Sequence, residues 1–251
     1  MLLSSLSLNA LSVVSVAHRG APHFAPENTL SSFRKAIELK ADWLETDVQR
    51  SSDGHLVIMH DSSVDRTTNG SGKVSELTLQ ELLKLDAGSG EKIPTLDEVL
   101  ALFHKDNEVI FVLELKKGND EHPGIEEKLI QTIQAHKLER RVILKSFSIP
   151  VLKRLRKLAP EIPQIYVFLG SFPSLGLTVD TFLRFHNPFN LDVEYLQSHG
   201  CATSAAFVRA AHAHGKKVIV WGVEKVKKMK TWKATGVEGI ETDRLDLYHQ
   251  I

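Results

Sequence analysis

Short apolar runs alternate with amphipathic stretches along most of the chain. Strands are predicted at Val13–Ala17, Trp43–Val48, Val109–Leu115, Val142–Ser146, Gln164–Phe168, Leu191–Glu194, Lys217–Trp221 and Gly239–Thr242. Helical spacing fills most of the gaps, at Thr29–Leu39, Thr95–Phe103, Gly124–His136, Ile149–Leu158 and Ser204–His214. Strands that are apolar on both faces and separated by helices imply a parallel sheet covered on both sides. Eight such units predict an α/β fold of the (β/α)8 barrel type. An open doubly wound sheet is the second expectation, weakened because no Gly-x-Gly-x-x-Gly follows the first strand.

One stretch departs from this rhythm. Between the second strand and the helix starting near Thr95 come turns at Asp53-Gly54 and Asn69-Gly70 and an extra strand, Leu56–His60. The expectation is one barrel domain over residues 1–251, with an insertion at roughly 53–94 on the loop side that is too short for a core of its own.

The chain has 251 residues, 42% hydrophobic and 25% charged, enough apolar material for a full core. Lys+Arg and Asp+Glu are 31 each, so no net field favours nucleic acid or an anionic membrane, and a small-molecule partner is expected. The single Cys201 excludes an internal disulfide and suits a reducing compartment; it is expected to be packed and inert. Leu2 to Val16 is apolar and Ser-rich, but no Lys or Arg precedes His18, so the charged part of a secretory leader is missing. No later stretch approaches the ~20 apolar residues of a membrane span. A cytoplasmic protein without a stable membrane anchor is expected, and a homodimer is left open.

The ionisable residues concentrate at predicted strand ends. His18 and Arg19 follow the first strand, Glu45 and Asp47 end the second, and Glu114 and Lys116 end the third. Residues two apart on a strand point to the same side, so each acidic residue and its partner faces one way. At the mouth of a barrel, Glu45, Asp47 and Glu114 would converge as an all-oxygen set for one hard divalent cation, Mg2+ or Ca2+. Zinc is disfavoured, since no Cys/His cluster accompanies them. His18 and His60 are the candidate general acid and base, with Asp61 beside His60. Arg19 and Lys116 suit a phosphate oxyanion. Asn28 or Thr29 caps the first helix, and Glu27 ahead of it either meets substrate or metal or holds the Arg19 loop. Trp221 ends the seventh strand as an apolar wall for substrate or as core. His136, His199, His212 and His214 look scattered and are expected at the surface.

Ala17-His18-Arg19-Gly20, Pro26-Glu27-Asn28-Thr29, Glu45-Thr46-Asp47-Val48, His60-Asp61, Asp65-Arg66-Thr67-Thr68-Asn69-Gly70, Glu114-Leu115-Lys116, Ser146-Phe147, Val220-Trp221 and Gly239-Ile240-Glu241-Thr242-Asp243 occur in this order. With these strings the chain closely resembles the glycerophosphodiester phosphodiesterase family over nearly its whole length. The resemblance implies a (β/α)8 barrel with a small insertion after the second strand, and hydrolysis of glycerophosphodiesters such as glycerophosphocholine or glycerophosphoethanolamine to glycerol 3-phosphate and an alcohol. It implies Glu45, Asp47 and Glu114 as metal ligands, His18 and His60 as acid and base, and Arg19 and Lys116 on phosphate. By the same analogy the glycerol 2-hydroxyl attacks phosphorus, giving a cyclic phosphate that water opens. After Trp221 the family continues Thr-Val-Asn, whereas this chain has Gly222-Val223-Glu224, a change expected to alter contacts with the glycerol or the alcohol. The segment Phe168 to Phe189 has no clear counterpart. Two other readings remain: a lysophospholipase D-like enzyme on the same barrel, and a catalytically silent barrel that binds a phosphorylated metabolite.

Overall fold

The computed structural model describes residues 13–102, 108–118, 121–172, 177–179 and 185–251, with backbone alone for 171–172, 177–179 and 185–186. Eight parallel strands close on themselves: β1 (Val14–Ala17), β2 (Trp43–Arg50), β4 (Ile110–Glu114), β5 (Val142–Ser146), β6 (Gln164–Phe168), β10 (Tyr195–His199), β11 (Lys217–Trp221) and β12 (Gly239–Thr242). The first strand pairs with both the second and the last, Val16 beside Trp43 and Ala17 beside Thr242, which makes the sheet a barrel. The open-sheet alternative is thereby excluded.

Helices cover the outside: α1 (Leu30–Glu38), α3 (Leu96–Ala101), α4 (Ile125–Ala135), α5 (Ile149–Leu158), α6 (Ala205–Ala213), α7 (Val226–Thr235) and α8 (Leu245–Tyr248). Their starts follow from side-chain chemistry. Thr29, Ser148 and Ser204 each accept a hydrogen bond from the first turn, and Thr95 forms a reciprocal capping box with Glu98. Buried outward residues of the strands, such as Leu44, Phe111, Leu113 and Leu144, pack against helix residues such as Phe33, Leu129 and Leu155. Among the described residues no helix is long and apolar enough to cross a membrane. The leader-like stretch lies outside the described residues up to Val13, as does the predicted helix end at Phe103.

Three expectations are corrected. The sixth strand is Tyr195–His199, not Leu191–Glu194. Its inward positions are Tyr195, Gln197 and His199, a polar face that hides the usual strand signal, while Leu191 and Val193 pack from the loop before it. Placing that strand late also puts Cys201 in the following turn, where it is exposed and not packed. Thirdly, the insertion after β2 carries β3 (Leu56–Ile58), antiparallel to β2, and a short helix α2 (Leu79–Leu82). It does have an apolar cluster of its own, in which Val57, Met59, Val64, Val74, Leu82 and Ile93 meet. The segment without a counterpart, 168–189, holds a small antiparallel sheet of β7 (Gly170–Phe172), β8 (Leu177–Val179) and β9 (Phe185–His186); residues 173–176 and 180–184, and the side chains of 171–186, lie outside the described set.

The barrel interior is layered. Near the strand starts Val16, Trp43, Val112, Ile143, Ile165 and Ile219 form an apolar plug. One strand period further on, the inward positions become Glu45, Glu114, Lys145, Gln197 and Glu241, all buried. An uncompensated buried charge costs several kcal/mol. A whole layer of them exists because each finds a partner across the barrel.

Candidate active site

The chain leaves β1 in a tight turn with Arg19 at φ 55° and Gly20 at φ 89°. A side chain on Gly20 would lie 2.5 Å from the Ser32 hydroxyl, so the turn can press against α1 only with glycine there. The Arg19 amide donates to Glu45 Oε2 at 3.1 Å. The Arg19 side chain donates to Glu27 Oε1 at 2.8 Å, while its buried Nε has no hydrogen-bond partner and stands 3.6 Å from Asp47 Oδ2. An unmatched buried guanidinium N–H at a barrel mouth is suited to an anionic oxygen. Of the two roles open to Glu27, the hold on the Arg19 loop is the one the hydrogen bonds display.

Each candidate proton carrier is clamped at Nδ1 by an aspartate: His18 by Asp243 at 2.7 Å and His60 by Asp61 at 2.6 Å. The other nitrogen of each ring is therefore the one free to exchange protons. Asp61 also accepts from Arg66 Nε at 2.5 Å, and Arg66 grips both oxygens of Glu27, at 2.9 and 2.7 Å. These contacts join the two halves of the mouth in one run of side chains: Arg19, Glu27, Arg66, Asp61, His60. Arg66 holds Asp61 at about 2, below the usual carboxylate range.

Glu45, Asp47 and Glu114 offer oxygens within 4.8 Å of one another, and a ring nitrogen of His18 lies equally close to oxygens of Glu45 and Glu241. Both histidines, the predicted triad and the basic side chains are thus brought together. Three converging carboxylates, two of them on neighbouring strands where Asp47 is beside Glu114, are a donor set that fits a hard divalent cation. Two lysines share these oxygens. Lys116 Nζ donates to Asp47 Oδ1 at 2.8 Å and Glu114 Oε1 at 3.3 Å. Lys145 Nζ lies 3.0 Å from Glu45, 3.2 Å from Glu114 and 3.1 Å from Glu241.

Electrostatics follow from this crowding. Burial, with Asp47 and Glu241 close by, pushes Glu45 up to about 7, against the pull of Lys145. For Asp47 burial works against the charge, but Lys116, His60 and Arg19 outweigh it and hold the carboxyl well below its usual range. Burial likewise opposes a charged His18, yet the Asp243 hydrogen bond and the Glu45 and Glu241 carboxylates lift it to about 9. His60 is lowered, mainly by burial, with Lys116 and Arg19 adding to it. The two rings are shifted in opposite directions, as separating an acid from a base requires.

Several residues at the site escaped the strand-end reading. Asn28, at φ 58°, donates to Asp47 Oδ2 at 3.0 Å and accepts from Thr46 at 3.0 Å, tying the first loop to β2, while Thr29 caps α1. Lys145, Arg66, Glu241 and Asp243 were also unassigned. A signal existed for the last two, since Glu241-Thr242-Asp243 repeats the Glu45-Thr46-Asp47 string of the second strand. His199 is not a surface residue: it is half-buried at the end of β10, edge-on to Trp221 with ring centres 4.6 Å apart. Gly222 makes room for it, because a side chain there would come within 2.7 Å of His199 Nε2. The indole Nε1 of Trp221 is buried and unpartnered. Glu224 does not reach across the mouth; it accepts from the Thr242 hydroxyl at 2.9 Å and the Asp243 amide at 3.2 Å, steadying the residue that holds His18.

Parallel strands delivering two histidines, converging carboxylates and cationic groups to one mouth make a (β/α)8-barrel site of the kind that enzymes of this fold place at the strand ends, suited to an anionic substrate. Residues 18–247 match the model of the glycerophosphoryl diester phosphodiesterase family. The chain belongs to that family, whose members are hydrolases. It is 39% identical over 235 residues to a glycerophosphodiester phosphodiesterase of Caldanaerobacter subterraneus, covering 91% of this chain and 93% of that protein. A glycerophosphodiester phosphodiesterase of Bacillus subtilis is 34% identical over 265 residues, covering 95% and 86%. Among solved structures, an Oleispira antarctica phosphodiesterase in complex with the product sn-glycerol-3-phosphate superposes with a TM-score of 0.80 at 26% identity, covering 96% of each chain.

Proposed function

We propose that the chain hydrolyses glycerophosphodiesters, such as glycerophosphocholine and glycerophosphoethanolamine, to sn-glycerol 3-phosphate and the corresponding alcohol. The observation that carries this reading is the pair of aspartate-clamped histidines on either side of a carboxylate triad, next to an unmatched guanidinium N–H. The Oleispira phosphodiesterase with its bound product supports the same substrate class.

A divalent cation, Mg2+ or Ca2+, held by Glu45, Asp47 and Glu114 would neutralise phosphate charge and favour attack at phosphorus. Arg19 binds a phosphate oxygen through its free Nε. Lys116 leaves Asp47 and Glu114 to bind another, which its partly exposed side chain permits. One histidine takes the proton from the glycerol 2-hydroxyl as that oxygen bonds to phosphorus; the other gives a proton to the departing alcohol oxygen. The resulting cyclic phosphate is opened by water with the two rings in exchanged roles, yielding glycerol 3-phosphate. Glu27 keeps Arg19 in place, and Trp221, edge-on to His199, bounds the mouth.

The test follows glycerol 3-phosphate release from both substrates by the full chain, after chelation and after adding back Mg2+ or Ca2+. Restored release is expected. His18→Ala and His60→Ala should each lose at least about a thousandfold in kcat with the fold intact, as for removal of a proton-transferring group. Near-wild-type turnover in either variant overturns the roles given to the histidines; no turnover with any metal overturns the hydrolase reading.

A further inference from the structure

The charged layer of the barrel is centred on a lysine. Lys145 projects inward from β5 with its side chain 3% exposed, and its ammonium contacts Glu45, Glu114 and Glu241 at 3.0 to 3.2 Å. Lys116 serves the same carboxylate cluster in a different way. Its side chain is 37% exposed, so it can withdraw toward solvent or a phosphate. Lys145 has no such exit. Any charge it neutralises stays neutralised through binding and turnover.

Its position matters because the acidic groups form two triads that share Glu45. One is Glu45, Asp47 and Glu114; the other is His18, Glu45 and Glu241. Overlapping oxygen-rich triads with a common carboxylate are the arrangement from which two-ion phosphoester sites are made, with ions ~3.5–4 Å apart. Here both carboxylates of the second triad are already bonded to Lys145. Gln197 donates to Glu241 as well, at 2.9 Å, holding that carboxylate toward the ammonium. In the first triad Glu45 and Glu114 touch Lys145 as well, but Asp47 makes no hydrogen bond to it; its cationic partners are Lys116 and Arg19.

Resting on the metal reading above, we infer that Lys145 is a built-in monovalent cation standing where a second divalent ion would bind, so that the site takes one ion at Glu45, Asp47 and Glu114. The consequence for the chemistry is direct. A second ion in the other triad would ligate His18 and remove it from proton transfer. A fixed ammonium satisfies Glu45 and Glu241 while leaving the ring held only by Asp243. Lys145 is in this sense a positioning residue.

The test counts ions on the folded full chain by equilibrium dialysis with Mn2+ and reads their coupling by electron paramagnetic resonance. One isolated Mn2+ per wild-type chain is expected. Lys145→Met should take two, with an exchange-coupled signal, and Lys145→Met/Glu241→Gln should return to one. Lys145→Gln, which keeps a polar head, is tested in parallel against failure of the methionine variant to fold and should also take a second ion. Two ions on the wild type, or one on both folded Lys145 variants, overturns the inference. A wild-type chain that takes none overturns the metal reading beneath it.

Discussion

Arg66→Ala removes three hydrogen bonds made by a residue outside the barrel strands, one to Asp61 and two to Glu27. The guanidinium is about half exposed, so screening by water limits its worth to stability. Even with bidentate geometry, a loss of about 1 kcal/mol in unfolding free energy is expected. The kinetic effect should be larger. Asp61 sets the ring plane of His60 and Glu27 sets the reach of Arg19, and both lose their shared anchor at once. Misorienting a proton-transferring ring and a phosphate ligand by a fraction of an ångström costs about 2 kcal/mol in the barrier, or roughly thirtyfold in kcat. Arg66→Lys keeps the charge without the fork and should recover only part of this. The assay is steady-state release of glycerol 3-phosphate, with urea unfolding of the same preparations. An Arg66→Ala variant within about twofold of wild type in kcat would refute the reasoning. So would a rate loss fully accounted for by unfolded protein.

Two further outcomes follow from the geometry. Asp243→Asn withdraws the hydrogen-bonded charge that, with Glu45 and Glu241, raises His18 to about 9 against burial and Arg19. The charged ring is then less favoured, so the limb of the kcat/KM pH profile governed by His18 moves to lower pH while the other stays; an unmoved or upward-shifted limb contradicts the assignment. Gly222→Ala places a side chain at φ 70° and 2.7 Å from His199 Nε2, and should cost about 2 kcal/mol in urea unfolding. Adding His199→Ala should restore the steric share but not the backbone share, and an unchanged midpoint in the single variant rules the clash out.

Most of the barrel was readable from the chain because an apolar strand between helices leaves a local trace. Tyr195–His199 shows where that trace fails: Gln197 faces the charged layer and His199 the mouth, so the inward side of this strand is polar. The site was legible where two ionisable residues stand at i and i+2 on one strand end, as with Glu45 and Asp47. Side chains whose meaning depends on closure were not. Lys145 alone in an apolar strand looks like a residue facing water until Glu45, Glu114 and Glu241 come round to meet it. Arg66 reads as a loop charge until the insertion folds over Glu27 and Asp61. The apolar cluster under that insertion was missed because Val57, Val64, Val74 and Leu82 are spaced too irregularly to signal a shared core.

The His18 to Asp243 bond joins residues 225 positions apart. A ribosome must therefore have added Asp243 before this pair can exist, and every shorter growing chain carries a histidine without its orienting carboxylate. The two lie just past β1 and just past β12, the seam where the barrel shuts, so the pair assembles in the same event that joins the two ends of the parallel sheet. On the role proposed for His18, recovery of turnover on refolding times the sealing of that seam, whereas helix content recovers as the local elements form. A nascent chain holds this ring unoriented until the first and last strands of its parallel sheet have met.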